Sequence, residues 1–154
     1  MRRVVPYWIA QIAGAIAAGY CLLFVFHGPV NHLGATLVDT QRITYPGAFV
    51  LEAIGTFFLV NTVLHAAVHK AAGQLAPSAI GMTVTICILM FGALTDGSVN
   101  PARTIGPDVV IYSGIVVYLA AQGVGCVIAG VLYRVFWMAR SSSSAMHHAI
   151  QAAE

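Results

Sequence analysis

Long apolar stretches recur four times along the chain. They run from Val4 to Phe26, from Gly47 to Val68, from Leu75 to Leu94 and from Val109 to Met138. Each is long enough to cross a hydrocarbon core about 30 Å thick, which takes roughly 20 helical residues. The pattern therefore predicts four transmembrane helices and an all-α membrane protein.

The composition favours lipid as the surrounding solvent. Of the 154 residues, 59% are hydrophobic and 8% are charged, whereas a soluble domain carries about a quarter charged residues. The net charge of +2 comes without any cluster of Lys or Arg, which gives no basis for a nucleic-acid partner. The three cysteines, Cys21, Cys87 and Cys126, lie inside apolar stretches. There a thiol usually packs as a small apolar group and does not form a disulfide bond.

The positions of the basic residues predict the orientation, because short loops rich in Lys and Arg stay on the cytoplasmic side. If the four helices alternate in direction, one side collects Arg2, Arg3, Lys70, Arg134 and Arg140. Arg42 and residues 95–108 then face the other side. Both termini are therefore predicted to be cytoplasmic, in a multi-pass protein of the cell membrane.

The remaining segments are predicted to be loops and a tail. Residues 27–46 lack apolar periodicity and predict an exterior loop lying over the bundle. Residues 1–140 form the predicted transmembrane domain. Residues 141–154 begin with four serines and predict a mobile cytoplasmic tail.

Small residues occur at the spacing of helix-packing faces. In the first stretch these are Ala10, Gly14 and Ala18, and in the last they are Gly123, Gly125 and Gly130. Such faces let helix backbones approach closely in a membrane. The alternative is that apolar membrane helices simply contain many Gly and Ala residues.

The segment between the third and fourth stretches, residues 95–108, is too polar to span a membrane. Gly97 and Ser98 permit an irregular path, Asn100 is a good N-cap, and Pro101 suits the first helical position. A helix from Asn100 or Pro101 to about Val110 would be roughly 15 Å long, half the hydrocarbon thickness. The segment therefore predicts a re-entrant half-helix.

Irregular backbone at membrane depth is tolerated only when it is buried in protein or lines a watery cavity. The helix N-terminus carries about half a positive charge, and Arg103 adds a permanent one, so together they would repel cations and protons. The carbonyls of Asp96, Gly97 and Ser98 would accept hydrogen bonds from a neutral solute, and the Asn100 amide would donate one. The alternative is an exterior turn and an interfacial helix, with Arg103 reaching the lipid headgroups.

With Asn100-Pro101-Ala102-Arg103, the chain resembles the major intrinsic protein family of aquaporins and glycerol facilitators. The resemblance covers nearly the whole chain. Residues 6–15 resemble the family's third helix, residues 51–57 the fourth, residues 79–81 the start of the fifth, and residues 117–134 the sixth. It implies an aquaporin-like helical bundle built from two inverted repeats.

The resemblance also implies that parts of the family fold are missing. The first two helices and the first Asn-Pro-Ala loop, which should face Asn100, have no counterpart in the sequence. The chain is therefore interpreted as an N-terminally truncated form, which by itself should not close the family's pore. Ala120-Ala121-Gln122 departs from the family's usual Val-Gly-Pro.

Residue by residue, the resemblance implies a selectivity constriction made by Arg103, Ile88 and Gly97. Ile88 replaces the histidine of strict water channels, and Gly97 offers no side chain, so the constriction would be wide and weakly polar. This favours water together with small neutral solutes such as glycerol, urea or ammonia. Thr104 is not the aspartate found there in glycerol facilitators, which favours an aquaporin. Leu119 replaces the tryptophan expected of aquaporins, which favours a glycerol facilitator. The two positions therefore do not identify the solute.

Three further ionisable residues bear on the interpretation. A carboxylic acid inside a membrane span is expensive and normally pairs within the bundle. The resemblance implies that Glu52 accepts hydrogen bonds that hold the re-entrant loop; the alternative is a Glu52 near enough to the exterior to be wet. His65 and His69 are spaced i and i+4, but no Cys or carboxylate joins them, which favours an interfacial pair over a metal site.

Two functions follow as hypotheses. The first is a passive channel for water and small neutral solutes that excludes ions. The second is a non-conducting homologue that acts as a packing subunit. An enzyme is not predicted, since no nucleophile with a base, metal cluster or phosphate loop is present, and no cofactor is implied. The family's usual arrangement implies a homotetramer in the lipid bilayer.

Overall fold

The computed structural model describes residues 4–26, 30–111 and 114–138. The predicted tail, residues 141–154, lies outside the described residues, as do Arg2, Arg3 and Arg140. The described residues are helical apart from short connections and contain no strand. Four helices are long and apolar enough to cross a membrane, which confirms the predicted all-α membrane fold.

The long helices follow the apolar stretches closely. They are α1 (Val4–Val25), α2 (Tyr45–Val63, extended by a π-helical turn Leu64–Val68), α3 (Ala76–Thr95) and α5 (Ile115–Tyr133, extended by a π-helical turn Arg134–Met138). Prolines occupy the first turns of α2 and α3, where their missing N–H would have no helical partner. The Thr44 hydroxyl caps α2 by accepting the N–H of Gly47.

A shorter helix, α4 (Pro101–Ile111, 11 residues), follows α3. At 1.5 Å per residue it is about 16 Å long, roughly half the hydrocarbon thickness, as predicted for a half-helix. The predicted start of the fourth stretch at Val109 is wrong, because Val109 still belongs to α4 and α5 begins at Ile115. Hydropathy could not place this break, since apolar residues lie on both sides of it.

Helix packing places α4 between α1 and α5, while α2 packs against both α3 and α5. The main core is built from Cys87 and Phe91 of α3 with Val99, which precedes α4. Around them pack Leu51, Leu59 and Leu94. One residue of the segment before α4 therefore forms part of the core between α2 and α3.

The small-residue positions pack only in part within this chain. Ala10, Gly14 and Ala18 are exposed, although Ala18 borders the cavity between α1 and α4 beside Ala15 and Gly19. Among the glycines of the last helix, Gly125 is buried against α2, whereas Gly123 and Gly130 are open. A helix that is apolar all round gives no signal for which face packs.

The described part of the predicted exterior loop is ordered by contacts with the end of α3. It begins with a 3₁₀ helix, Val30–Gly34. The N–H of Leu37 donates to the Asp96 carboxylate at 2.8 Å, and the N–H of Asp39 donates to the Leu94 carbonyl at 2.9 Å. The loop is thereby held over the segment that joins α3 to α4.

Candidate functional site

Residues 96–100, called here the re-entrant turn, join α3 to α4 through an unusual backbone. Asp96, Gly97 and Val99 have φ angles of 59°, 55° and 44°. Aspartate and glycine adopt this region readily, but a β-branched residue does so only at a cost in energy. Gly97, Ser98 and Val99 are buried. Surrounding contacts must therefore hold the turn in place.

Glu52 of α2 supplies the most direct of these contacts. Its Oε1 accepts the N–H of Ser98 at 2.9 Å and the hydroxyl of Thr95 at 2.8 Å. Its Oε2 accepts the N–H of Val99 at 2.9 Å. The residue is 0% exposed, so the alternative of a wet Glu52 does not hold. These bonds satisfy two backbone donors that have no helical partner.

The start of α4 is capped by its own preceding residue. The Asn100 Oδ1 accepts the N–H of Ala102 at 2.9 Å and that of Arg103 at 3.5 Å. This occupies the acceptor end of the Asn100 amide, and the Nδ2 end donates to no group in the described part of the chain. Asn100 is exposed. Its Nδ2 hydrogens are therefore available to a ligand at the helix tip.

Arg103 lies one turn into α4 and reaches the exterior loop. Its Nη1 donates to the Gly34 carbonyl at 2.6 Å. Within residues 4–26, 30–111 and 114–138, no carboxylate forms an ion pair with it. The positive charge therefore stands beside the positive end of α4 without a compensating anion.

Asn100 and Arg103 line the same cavity, which has a volume of about 300 Å³. The opposite wall belongs to α1 and includes Gln11 and Ala15. Amide donors and a guanidinium thus converge on a space whose other walls are mostly apolar. Such a combination is typical of sites for small polar molecules.

Ile88 and Gly97 are neighbours on another side of the turn. A Cβ atom built on Gly97 would lie 3.3 Å from the Ile88 Cα. Ile88 is 49% exposed, so its side chain is free to line a passage. Neither residue lines the cavity of Asn100 and Arg103 in the described part of the chain. The structure therefore brings the predicted site residues together as two adjacent pairs.

Three backbone N–H groups of the turn have partners in the chain, whereas three of its carbonyls have none among the described residues. The N–H groups of Ser98 and Val99 point to Glu52, and that of Gly97 donates to the Thr95 hydroxyl at 3.4 Å. The carbonyls of Asp96, Gly97 and Ser98 accept no hydrogen bond from the described residues. These acceptors are the ones predicted to face a passing solute.

The sequence analysis did not identify a second set of contacts, which comes from α5. Gln122 donates from Nε2 to the Thr104 hydroxyl at 3.2 Å, and Thr104 shares a short hydrogen bond with the Ser98 hydroxyl. The Ser98 hydroxyl in turn donates to the Asn100 carbonyl at 3.2 Å. An uncharged polar residue inside an apolar span was the available signal, because such residues usually bond between helices.

Comparison with known families bears on this geometry. The family model described as "Major intrinsic protein" matches residues 1–133. The chain belongs to the major intrinsic protein family. Its four membrane-crossing helices and one half-helix are a partial aquaporin-like fold, which confirms the predicted fold class and family.

Individual members of the family are similar to the chain over most of its length. It is 38% identical to "Aquaporin NIP1-3" of Oryza sativa subsp. japonica over 129 residues, which cover 82% of this chain and 44% of that protein. It is 35% identical to "Nodulin-26" of Glycine max over 136 residues, covering 86% and 49%. It is 38% identical to "Aquaporin TIP2-1" of Arabidopsis thaliana over 143 residues, covering 88% and 55%. The chain spans about half the length of the curated relatives it matches.

Proposed function

We propose that this major intrinsic protein serves in a passive membrane channel for water and small neutral solutes. The observation that carries the proposal is the meeting of Asn100 and Arg103 at one cavity beside the start of α4. A solute there would find the Asn100 Nδ2 donor and, on the α1 wall, the side-chain amide of Gln11, which can both accept and donate. A molecule such as water can use both kinds of group.

Ion exclusion rests on uncompensated positive charge. The N-terminus of α4 contributes about half a charge, and Arg103 contributes one more, with a carbonyl rather than a carboxylate as its partner. A cation or hydrated proton in this cavity would lose hydration and meet a positive field. Neutral solutes would not meet this barrier.

The range of solutes is proposed from Ile88 and Gly97. An exposed isoleucine next to a glycine leaves space and an apolar wall in place of a polar side chain. This combination favours passage of glycerol, urea or ammonia in addition to water. The relatives carry the word "Aquaporin" in their names, which supports a channel of this class.

The orientation and assembly are part of the same proposal. The His65 ring packs on Tyr133 and Trp137, with ring centroids 5.2 and 4.3 Å apart, so Lys70 and Arg134 lie near the same end of the bundle. Positive residues at that end support a cytoplasmic location for it and for both termini, in the cell membrane. Residues 1–140 would form the transmembrane domain, residues 141–154 a mobile tail, and the assembly a homotetramer.

A packing subunit is the second candidate, and the exposure of α1 favours it. Within the chain, only about 6% of the residues in the most apolar 18-residue stretch of α1 are buried. Large side chains such as Tyr7, Trp8 and Phe24 are exposed on it. Exposed apolar surface of this extent suits contact with another membrane protein as well as with lipid.

Osmotic shrinkage of proteoliposomes tests the proposal. In the proposal the assembled chains, rather than a single chain, enclose the passage, so vesicles containing the protein should shrink faster than empty vesicles and should not gain proton leakage. Arg103→Val should raise proton leakage. Arg42→Val is the matched control, because Arg42 pairs with Asp39 in the exterior loop, and it should behave as the unmodified chain.

The outcomes separate the two candidates. Water permeability equal to that of empty vesicles for the chain and for Arg103→Val would show that this chain does not conduct. Cross-linked oligomers in those same vesicles would then support the packing subunit. If the chain conducts, Ile88→His should lower glycerol entry more than water entry, because it narrows the proposed passage and makes it more polar.

A further inference from the structure

A buried polar chain links α5 to the start of α4. Gln122 is 1% exposed and Thr104 is 0% exposed. From Gln122 the hydrogen bonds run through the hydroxyls of Thr104 and Ser98 to the Asn100 carbonyl. We propose that Gln122 is a positioning residue that holds the Asn100 carbonyl, and with it the start of α4, through these two hydroxyls.

The chemistry of Gln122 fixes the first step of the chain. Nε2 of Gln122 can only donate, so the Thr104 oxygen accepts its hydrogen. The single hydrogen of Thr104 can go to the Ser98 oxygen, whose own hydroxyl reaches the Asn100 carbonyl, or directly to the Asn100 carbonyl at 3.3 Å. Gln122 therefore holds the Thr104 hydroxyl, through which its influence on the Asn100 carbonyl must pass.

Two sets of hydrogen bonds, from α2 and from α5, hold the re-entrant turn. Glu52 of α2 takes the backbone N–H groups of Ser98 and Val99. The chain from Gln122 ends on a backbone carbonyl one residue later. The strained φ of Val99 lies between these two points, at 44°. Fixing the backbone on both sides fixes the direction of the peptide plane that leads into α4.

The position of Gln122 argues against a role in packing alone. Its Oε1 is buried and has no partner in the described part of the chain. Burying half of an amide without a partner costs free energy, and an apolar residue of the same size would avoid that cost. Only the Nε2 contact with Thr104 offsets it. A positioning role accounts for an amide at this site.

The Asn100 carbonyl can be observed selectively. Asn100 is the asparagine followed by proline in the sequence. Labelling asparagine with ¹³C at the carbonyl and proline with ¹⁵N therefore selects the Asn100 carbonyl carbon by solid-state NMR of the chain in lipid bilayers. Carbonyl carbons that lose a hydrogen bond move upfield.

We expect Gln122→Met to move this resonance upfield, as Thr104→Val does. The double variant should move it no further than Thr104→Val, because Gln122 acts on the carbonyl only through the Thr104 hydroxyl. Hydrogen exchange of the Thr104 amide, which donates to the Asn100 carbonyl at 3.0 Å, should become about two- to tenfold faster. Thr56→Val is the control, because Thr56 is a buried residue of α2 whose hydroxyl has no partner among the described residues, and it should change neither signal.

An unchanged resonance in Gln122→Met alongside a shifted one in Thr104→Val would overturn the proposal, as would full additivity in the double variant. If Gln122→Met does not insert, Gln122→Leu removes the same donor, and an unshifted resonance would be equally decisive. The functional role of this positioning rests on the proposed channel, but the NMR measurement does not require that the chain conducts. A chain that conducts nothing can still show the shift, so the two proposals fail separately.

Discussion

Glu52 precedes Ser98 by 46 positions, yet its Oε1 accepts the Ser98 N–H at 2.9 Å in a fully buried setting. This bond ties the middle of α2 to the re-entrant turn. With the bond to the Val99 N–H, it satisfies two backbone donors of a segment that has no regular secondary structure, and the same carboxylate also accepts the Thr95 hydroxyl. The turn therefore depends on a residue in a different helix.

Replacing Glu52 should destabilise the protein strongly. Glu52→Leu leaves the N–H groups of Ser98 and Val99 buried without acceptors, at a cost of about 3–5 kcal/mol in the free energy of unfolding. Glu52→Gln keeps one acceptor but places an NH₂ group against an N–H, at about 1–3 kcal/mol. Denaturant titration in mixed micelles measures both. Thr85→Val, which removes an exposed hydroxyl bonded within α3, should stay within about 0.5 kcal/mol.

The contact between α1 and α4 requires a glycine. A Cβ atom at Gly106 would lie 2.5 Å from the Ala15 carbonyl oxygen, and this backbone atom cannot move without shifting α1. Gly106→Ala should cost about 1–3 kcal/mol and widen the spacing of the two helices, measured by spin-label distances. Gly14→Ala is the control, because Gly14 lies on α1 next to Ala15 but nothing lies within 4 Å of a Cβ atom built there. Equal stability of the two variants would contradict the close approach.

The contact between α2 and α5 offers a second matched pair. A side chain at Gly125 would meet the Ala53 carbonyl oxygen and the Phe57 nitrogen of α2, whereas a side chain at Gly123 would meet nothing. Gly125→Ala should lower the unfolding free energy by about 1–3 kcal/mol. Gly123→Ala should be neutral or stabilising by up to about 1 kcal/mol, because alanine favours the helix. Thermal unfolding of both variants in the same lipid mixture compares them directly.

Asp96 combines a left-handed backbone with a side-chain contact to the exterior loop. Asp96→Ala should cost about 1–2 kcal/mol for the backbone conformation and about 1 kcal/mol for the lost bond to the Leu37 N–H. Asp96→Asn tolerates the same φ and keeps an acceptor, so its effect should stay within about 0.5 kcal/mol. Hydrogen exchange at Leu37 should accelerate in the alanine variant alone. Acceleration in both variants would mean that the negative charge, rather than the bond, holds the loop.

The helices could be predicted because their causes are local. A run of apolar residues and a proline in the first turn predict a spanning helix wherever the rest of the chain goes, and Asn100 followed by Pro101 correctly predicted where α4 begins. The break between α4 and α5 was misplaced, since apolar residues such as Val109 suit either helix. The side of α1 that meets α4 could not be predicted for a related reason. A helix that is apolar on every side carries no information about its neighbours.

Hydropathy, proline placement and the Asn-Pro-Ala-Arg motif were enough to establish a membrane protein of four spans and one half-helix. They could not show that Gln122 reaches the Asn100 carbonyl through two hydroxyls, or that Arg103 meets the carbonyl of Gly34. Spans depend on the transfer of each segment into lipid, which neighbouring residues decide. The contacts of the re-entrant turn join residues far apart in the chain, and only helix packing brings their donors and acceptors within bonding distance.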